Sequence, residues 1–574
     1  MAGAISAGAY TAGVVDFLLE ALDQWYATHN GNPPHDVRLR VISGASAGGI
    51  VGSILMASLG GDRLNPVRSR PLKGADPKNE LYRTWVQEID VANLLKSEDL
   101  HKKRVLSALD CTVLHKVAEH AIDVKPVAAP PFSQRRPYLA DPLELIMTVA
   151  NLRGVAYRLE LKDSVEYMSL HADYMHFFLG NKAPQEPAIK LDPTNYSTDG
   201  WQLLARAALA TGAFPFGLAP HRIKRPWDDY IHKRWPVTSL RDGEEFIEFH
   251  ELKPVVEDSS EFYEFLSVDG GLLNNEPFNL AHSVLAQQTS GHTSGHIERD
   301  GLKSDRAIIM VAPFPSAAPK PYKHPADLLS YSWKVLSSVL EQVRFDPEVL
   351  ILASDENIYS RFLVSPKRPE KWEGGSIACG TLEGFGGFID EDFRDHDFML
   401  GRRNCQWFLK RHFTLPCGDE PDSRAGRNDL FANWDPDLVR AHRHHDEGWQ
   451  LPVIPCVGTA WEDVPLPDWP SYPARKLDRL VAQIDSRMTN VCKLLIDEHS
   501  KSAILRGLLK FALWAQKGKI LRSIRARTIT DLKAHNVPIA HDEVKSSRRR
   551  LRLWFLGIGI AAALALLAIS VINP

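Results

Sequence analysis

A short segment near the start of the chain joins a strand to a helix through a turn of very small residues. Residues 38–42 (RLRVI) have the apolar, β-branched character of a buried strand, and Ile50–Leu59 has the composition of a helix. Gly44 and Gly48 stand two positions either side of Ser46 in the turn. Glycines there remove the Cβ atoms that clash in a sharp strand-to-helix turn, and the serine hydroxyl is then exposed at the helix amino terminus. The segment predicts a nucleophile elbow.

This pattern alone is weak, because it arises by chance in about one chain in five of this length. A serine in a purely structural turn is the alternative. Three other segments add context. Residues 3–8 (GAISAG) form a small-residue loop that enters a helix, a natural source of backbone N–H donors for an oxyanion. Asp269, Gly270 and Gly271 end a strand on a tight turn, and residues 205–220 form a helix that stops in a Gly/Pro turn.

In this order the motifs, with the Ala-Phe-Pro at Ala213–Pro215, resemble those of the patatin-like phospholipase family, over roughly residues 1–315. The resemblance implies a three-layer α/β/α fold, a Ser–Asp dyad and hydrolysis of the acyl esters of lipids. Ser46 would be the nucleophile and Asp269 the base that takes its proton. The loop would supply the oxyanion hole, for which the candidates are Gly3, Ala4, Ile5 and Gly8.

An α/β-hydrolase with a Ser–His–Asp triad is the rival enzyme class. In that class the nucleophile follows several strands, whereas only about 35 residues precede the strand that leads to Ser46. No histidine stands in a comparable motif. An aspartate that acts as base without a histidine should be partly desolvated, because burial raises the pKa of a carboxyl group.

The loop departs from the family's usual pattern. Ile5 stands where a third glycine is expected, and Ala7 stands where a basic residue is expected. A Cβ at such a position needs a permissive backbone conformation, so the identity of the donors is open. The family also has a strand before this loop, and we hypothesise that a natural upstream strand precedes Met1.

Strand-like and helix-like stretches alternate over the first 320 residues, which predicts an α/β fold with a largely parallel sheet covered on both faces. We divide the chain into a patatin-like catalytic domain at 1–320 and a mainly helical accessory or lid region at 321–500. A basic juxtamembrane segment at 501–552 and a transmembrane helix at 553–572 complete the prediction.

The terminal prediction depends on twenty uncharged residues at 553–572, enough for a helix of roughly 30 Å. A buried core helix is the alternative. Residues 501–552 carry a net charge of +11 against −14 for residues 1–500, and arginines beside a span mark its cytoplasmic side. We therefore expect a single-pass C-terminal anchor with a cytoplasmic catalytic body. Residues 1–19 are apolar but lack a basic leader, and Asp16 interrupts them, which argues against a signal peptide.

Within the basic segment, residues 501–527 predict an amphipathic helix. Ile504, Leu508 and Phe511 share one face, with Arg506 and Lys510 on the other. Such a helix is typical of an anionic membrane surface. The alternative is a helix that packs its apolar face onto the protein body. Small residues in the terminal apolar run leave a homodimer possible through the transmembrane helix.

Other functions are less well supported. The body is acidic, which argues against nucleic acid as a partner. The histidines at 442–445 lack a second motif with ligand spacing, so we expect a solvated loop, no metal and no other cofactor. The predicted partner is a membrane lipid substrate. Two alternatives to hydrolysis stay open: acyl transfer by the same dyad, and a catalytically silent membrane scaffold whose oxyanion hole is spoiled.

Overall fold

A computed structural model gives the architecture of the chain. It describes residues 1–540 apart from gaps at 123–135, 257–260, 288–293, 370–374, most of 315–350 and several shorter ones. Residues 541–574 lie outside the described part, and with them the predicted span at 553–572 and the end of the predicted juxtamembrane segment.

The helices lie mainly at the two ends of the chain, and the longer strands lie between them. The helices are α1 (Gly8–Thr28), α2 (Ala47–Ser58), α3 (Glu80–Tyr82), α4 (Val91–Leu94), α5 (Thr112–Ile122), α6 (Asp199–Thr211), α7 (Asp228–Ile231), α8 (Phe278–Gln287), α9 (Gly386–Ile389), α10 (Glu391–Arg411), α11 (Pro436–His442), α12 (Ala474–His499) and α13 (Ala503–Ala534). The longer strands are β1 (Leu39–Gly44), β2 (Leu139–Glu160), β3 (Val165–Leu179), β4 (Ile189–Leu191), β5 (His221–Pro226), β6 (Arg234–Arg241), β7 (Glu244–Glu251), β8 (Lys253–Pro254) and β9 (Phe262–Asp269). Shorter strands follow: β10 (Ser294–Gly295), β11 (Ile308–Val311), β12 (Arg361–Val364), β13 (Thr414–Pro416), β14 (His444–His445), β15 (Trp449–Pro452), β16 (Tyr472–Pro473) and β17 (Ile539–Ala540).

The main sheet of the described residues has seven strands, with β4-β3-β2-β9-β5 in order and with β1 and β8 also paired to β2. The pairs β1–β2 and β3–β4 are parallel, whereas β2 is antiparallel to β3, β8 and β9, and β5 is antiparallel to β9. Helices α2 and α6 pack on each other and on this sheet. The strand–turn–helix at β1 and α2 is where the sequence predicts it.

The predicted fold class is wrong in three respects. The sheet is mixed rather than largely parallel, because β2 and β3 form one long hairpin joined by a tight turn in which the Leu161 N–H donates to the Ser164 carbonyl. The second part of β2 is too polar to be predicted as a buried strand, so the sequence does not predict this hairpin. The region after residue 320 is not simply helical, because β12 to β17 lie within it. The fold is therefore mixed α/β and not an α/β/α sandwich around a parallel sheet.

The third error concerns the membrane-spanning helix. Among the described residues, the helix long and apolar enough to cross a membrane is Ile5–Thr28, near the amino terminus and not the carboxyl terminus. It is 89% buried within the protein, which is typical of a core helix. Two acidic residues interrupt its apolar sequence, and both have a partner inside the protein. Asp16 and Glu20 are buried and pair with Arg402 of α10, which packs along α1.

The last long helix, α13, has an unusual orientation. Its second half packs on the body, where Ile524, Thr528 and Leu532 are buried. In its first half the apolar face points to solvent, and basic side chains turn toward α12: Lys510 pairs with Asp497 and Lys517 with Asp485. The alternative in which the apolar face packs onto the protein is therefore wrong for residues 504–514.

Candidate active site

The turn at Ser46 is a strained nucleophile elbow. β1 ends at Gly44, α2 begins at Ala47, and Ser46 between them has φ 49° and ψ −122°. A non-glycine residue with positive φ is uncommon and costs about 1–3 kcal/mol. Both predicted glycines are required by close approach. A Cβ on Gly44 would lie 2.5 Å from the backbone of Gly48, and one on Gly48 would lie 2.4 Å from the Met1 carbonyl oxygen.

The structure brings Ser46 and Asp269 together although 223 residues separate them. The Ser46 hydroxyl donates a hydrogen bond of 2.7 Å to Asp269 Oδ2, and both residues are buried. Asp269 is the last residue of β9, and its other oxygen accepts a hydrogen bond of 2.7 Å from the Gly271 N–H. Gly270 is needed for packing, since a Cβ there would lie 2.1 Å from the Thr148 carbonyl oxygen. The turn therefore fixes the carboxylate with one oxygen toward the serine.

Burial sets the protonation behaviour of this carboxyl group. Desolvation raises the pKa of Asp269 to about 6, and the hydrogen bonds from Ser46 and Gly271 act in the opposite direction. At neutral pH the group is a carboxylate, with a basicity well above that of an exposed aspartate. It can therefore accept the hydroxyl proton of Ser46 when that oxygen attacks an electrophile.

The helix and turn at 205–220 support both members of the pair. The Ser46 N–H donates 2.9 Å to Thr211 Oγ1, and the Thr211 hydroxyl donates 2.7 Å to the Thr148 carbonyl. The Asp269 N–H donates 3.0 Å to the carbonyl of Ala213, just beyond the end of α6. Thr211 was missed as a site residue, because nothing in the sequence distinguishes it from any other helical threonine.

The predicted oxyanion loop has an unexpected backbone. Gly3 lies beside the nucleophile, since a Cβ on it would be 3.1 Å from Ser46 Cβ, but its N–H donates to the Asn275 carbonyl. Within the described residues, the N–H groups of Ala4 and Ile5 have no hydrogen-bond acceptor. Ile5 has φ 46°, a conformation that suits glycine and strains a β-branched residue.

Gly8, the fourth oxyanion candidate, begins α1. A Cβ there would lie 2.2 Å from the Trp85 ring, so this glycine is required for helix packing. Of the four candidates, Ile5 is the one that lines the pocket at Ser46.

An apolar pocket opens from the Ser46–Asp269 pair. Side chains from α2, α5 and α6 form much of its wall, including Ile50, Ile54 and Leu204. Phe385 and Phe388, which lie around the start of α9, close another side of it. The glycine-rich stretch near 384–387 therefore lies at the site. Ser46 and Asp269 share the largely apolar lining with two further hydroxyl side chains, Ser53 and Thr84.

A metal site is not present in the described part of the chain, where no three His, Cys, Asp or Glu side chains converge as ligands. The predicted solvated loop at His442–His445 is instead partly ordered as the end of α11 and the short strand β14.

Comparison with known proteins gives one informative match. The chain is 34% identical, over 592 aligned residues, to the "Uncharacterized protein y4iI" of Sinorhizobium fredii. The match covers 93% of this chain and 80% of the rhizobial protein. The chain belongs to the y4iI family. No family model matches the sequence, and no solved structure matches it. Membership of the y4iI family carries no activity with it, so the chemistry has to be argued from the site.

Proposed function

We propose that this member of the y4iI family is a serine hydrolase that cleaves acyl esters of phospholipids or lysophospholipids, in the manner of patatin-like phospholipases. One observation carries the proposal: the buried 2.7 Å hydrogen bond from the Ser46 hydroxyl to Asp269, in the wall of a largely apolar pocket. A strained elbow, an adjacent base of raised pKa and a hydrophobic channel are the parts that acyl transfer from a lipid requires.

The reaction follows from these positions. The Ser46 oxygen attacks the ester carbonyl carbon as its proton passes to Asp269. The carbonyl oxygen gains negative charge and is stabilised by the N–H groups of Ala4 and Ile5. Collapse of the tetrahedral species breaks the ester C–O bond, and the alcohol leaves with the proton from Asp269. Water then attacks the acyl-enzyme by the same route, which releases the fatty acid and restores the serine.

The pocket favours a substrate with a long acyl chain. Its walls are aliphatic and aromatic, so a hydrocarbon chain gains free energy on leaving water, at about 0.8 kcal/mol for each buried CH₂. A charged or sugar-like acyl group would lose its hydration there without gaining partners.

The exposed face of α13 supports action at a lipid surface. Ile504, Leu508, Phe511 and Trp514 each keep between 62% and 78% of their surface exposed, and they follow one side of the helix. Lys519 and Arg522 continue the same side and are also exposed. Apolar residues followed by cations match a membrane with anionic headgroups, which we propose as the surface that this face binds.

Two other functions compete with hydrolysis. Transfer of the acyl group to an alcohol other than water uses the same pair of residues. A silent scaffold is favoured by one observation, the strained φ of Ile5 in the loop that should bind the oxyanion. Products distinguish all three: free fatty acid, a new ester, or no turnover.

The test is lipid profiling. Vesicles of phosphatidylcholine and phosphatidylglycerol, with different acyl chains at the two glycerol positions, are incubated with wild type, Ser46→Ala and Ser58→Ala. Ser58 is the matched control, because it is a buried serine at the far end of α2. We expect fatty acid and lysophospholipid from wild type and Ser58→Ala but not from Ser46→Ala. Equal release by Ser46→Ala, or no release by wild type, would overturn the proposal.

A further inference from the structure

The segment that follows the Asp269 turn carries a polar side chain that has no part in the reaction proposed so far. Asn275 lies between that turn and α8, and only 9% of its surface is exposed. Its carbonyl oxygen accepts a hydrogen bond of 3.2 Å from the Gly3 N–H. The backbone of Asn275 is therefore joined to the loop that should bind the oxyanion.

The side chain of Asn275 fills the space between this loop and the turn after Asp269. A Cβ on Gly3 would lie 2.3 Å from Asn275 Oδ1, and a Cβ on Gly271 would lie 2.7 Å from the same atom. Neither position has room for a side chain unless the amide moves. Two glycines from motifs more than 260 positions apart thus make room for one carboxamide.

The same two positions place the amide beside the nucleophile and its base. The Cβ on Gly3 would also lie 3.1 Å from Ser46 Cβ, and the one on Gly271 would also lie 3.1 Å from Asp269 Oδ1. Because each of these points is also close to Asn275 Oδ1, the amide lies within a few ångströms of both residues. An ester carbonyl held for attack by Ser46 would lie next to this side chain.

The carboxamide of Asn275 has no hydrogen-bond partner in the described part of the chain. A carboxamide has two N–H donors and one acceptor oxygen, and burial without partners is unfavourable. Filling space is a poor explanation for it, because leucine has a similar branched shape and would not carry that cost. Unused donors on a side chain that is nine-tenths buried point to a ligand.

We propose that the side-chain amide of Asn275 is a further donor in the oxyanion hole and binds the carbonyl oxygen of the ester through Nδ2. Rotation about Cβ–Cγ exchanges the oxygen and nitrogen ends of a carboxamide with little change of shape, so the site can be offered the donor end. The hydrogen bond strengthens as the carbonyl oxygen gains negative charge, which favours the transition state over the bound ester. This inference rests on the proposed ester hydrolysis.

A side-chain donor also explains how the loop can act in spite of its departures from the glycine pattern. The Gly3 N–H is committed to the Asn275 carbonyl, and Ile5 is held at φ 46°. Both features limit what the loop backbone offers to an oxyanion. Asn275 accepts one of the loop's donors through its backbone and supplies another through its side chain.

Steady-state kinetics of the full chain with a p-nitrophenyl ester test the proposal. Asn275→Leu keeps the branched shape and Asn275→Ala avoids crowding, and both remove the donors. We expect kcat to fall about 10²–10³-fold in each, with KM changed by less than about threefold and Tm by a few degrees. Loss of the folded state in both variants would show that the amide is structural and would overturn the proposal.

The matched control is Asn274→Ala, at the adjacent asparagine. Its backbone holds the turn, since the Asn274 N–H donates to the Gly270 carbonyl and its own carbonyl accepts from the Thr148 hydroxyl. Alanine keeps both of these bonds, so wild-type kinetics are expected. An equal loss of kcat in Asn274→Ala and Asn275→Ala would mean that the turn, and not the Asn275 amide, is responsible.

Sulfur in place of the carbonyl oxygen separates donation from positioning. Sulfur is a weak hydrogen-bond acceptor, so a thionoester gains less from an amide donor than the matching oxoester does. The ratio of kcat/KM for the oxoester to that for the thionoester should fall at least about tenfold in Asn275→Leu and stay unchanged in Asn274→Ala. If both esters slow equally in Asn275→Leu, the amide only holds the loop and the proposal is wrong.

Failure of the proposed function has a different signature from failure of this inference. A wild type that releases no product from either ester would reject ester hydrolysis and the role of Asn275 with it. Wild-type rates in Asn275→Leu, together with the loss of activity in Ser46→Ala, would reject the role of Asn275 alone.

Discussion

The pocket at Ser46 and the exposed face of α13 are both apolar, but they differ in where their ionisable groups lie. The pocket is buried and its lining contains one ionisable group, Asp269, whose pKa is raised because burial desolvates the carboxylate. The α13 face is exposed, and Lys510 and Lys517 beside it are directed away to carboxylates of α12. The first arrangement suits chemistry on an acyl group, and the second suits binding to an apolar surface. The two regions should therefore be separable by mutation.

Ser46→Ala tests the chemical half of this comparison and should have the largest effect. Removal of the nucleophile should lower kcat/KM for a short-chain ester by about 10⁴-fold or more. Vesicle binding should be unchanged, because α13 is intact. Turnover is followed by release of p-nitrophenol, with Ser58→Ala as control. Residual activity above one tenth of wild type would mean that another group is the nucleophile.

Asp269→Asn keeps the shape of the site and removes the base. Activity should fall by about 10²–10⁴-fold, the usual contribution of general base catalysis. Stability should change in a pH-dependent way. The raised pKa means that the protonated form stabilises the fold below about pH 4, and that this contribution is lost as pH rises through about 6. Between pH 4 and pH 8 the wild type should lose about 2 kcal/mol of unfolding free energy relative to the variant. Urea titrations at the two pH values measure this, and parallel pH curves for both proteins would contradict it.

Substitution of Phe511 and Trp514 by Gln tests the proposed membrane contact of α13. Loss of two exposed aromatic anchors should weaken binding to anionic vesicles by about 3 kcal/mol, or about 100-fold. Hydrolysis of a soluble ester should stay at the wild-type level. Co-sedimentation with vesicles gives the affinity, and Tyr167→Gln, an exposed aromatic on β3, is the matched control. Equal binding by all three proteins would show that α13 is not the membrane contact.

The pH dependence of kcat/KM should follow the Asp269 carboxylate. Only the ionised form accepts the serine proton, so the rate should rise about tenfold per pH unit below pH 6 and level off above it. A profile that instead levels off already above pH 4 would indicate a carboxyl group with the ordinary pKa of an exposed aspartate.

Ile5→Gly should have the smallest effect. Relief of the positive φ favours the variant by about 1–3 kcal/mol, whereas loss of the side chain removes apolar contact in the pocket. We expect Tm to change by only a few degrees and kcat to rise, because a glycine lets the loop adopt the geometry that the oxyanion needs. Steady-state kinetics decide this, and a tenfold loss of kcat would show that the Ile5 side chain itself orders the loop.

Local features were the ones that the sequence could predict. In the Ser46 elbow, Gly44 is required by the nearby backbone of Gly48, as the pattern predicts, whereas Gly48 is required by the distant Met1 carbonyl. The start of α13 was predicted within a few residues. The pairing of Ser46 with Asp269 came from a resemblance in motif order, since no local signal links residues 223 apart.

Long-range features could not be predicted in the same way. The antiparallel hairpin of β2 and β3 depends on which strand is the neighbour, and alternation along one strand does not contain that information. The amphipathic pattern predicted an apolar and a basic face for α13, but it did not predict which face packs against the protein. The basic face meets α12 through ion pairs, which join residues of separate helices. In the oxyanion loop, the Gly3 N–H donates a hydrogen bond to the carbonyl of Asn275, which is more than 270 positions away.

Active-site labelling tests the central claim most directly. A fluorophosphonate reacts only with a serine whose hydroxyl is activated. The labelled peptide is identified by mass spectrometry in wild type, Ser46→Ala and Asp269→Asn. We predict stoichiometric labelling of wild type at Ser46, none in Ser46→Ala, and labelling at least 100-fold slower in Asp269→Asn. Labelling of Ser46 at the same rate without the Asp269 carboxylate, or no labelling of the wild type, would contradict the dyad.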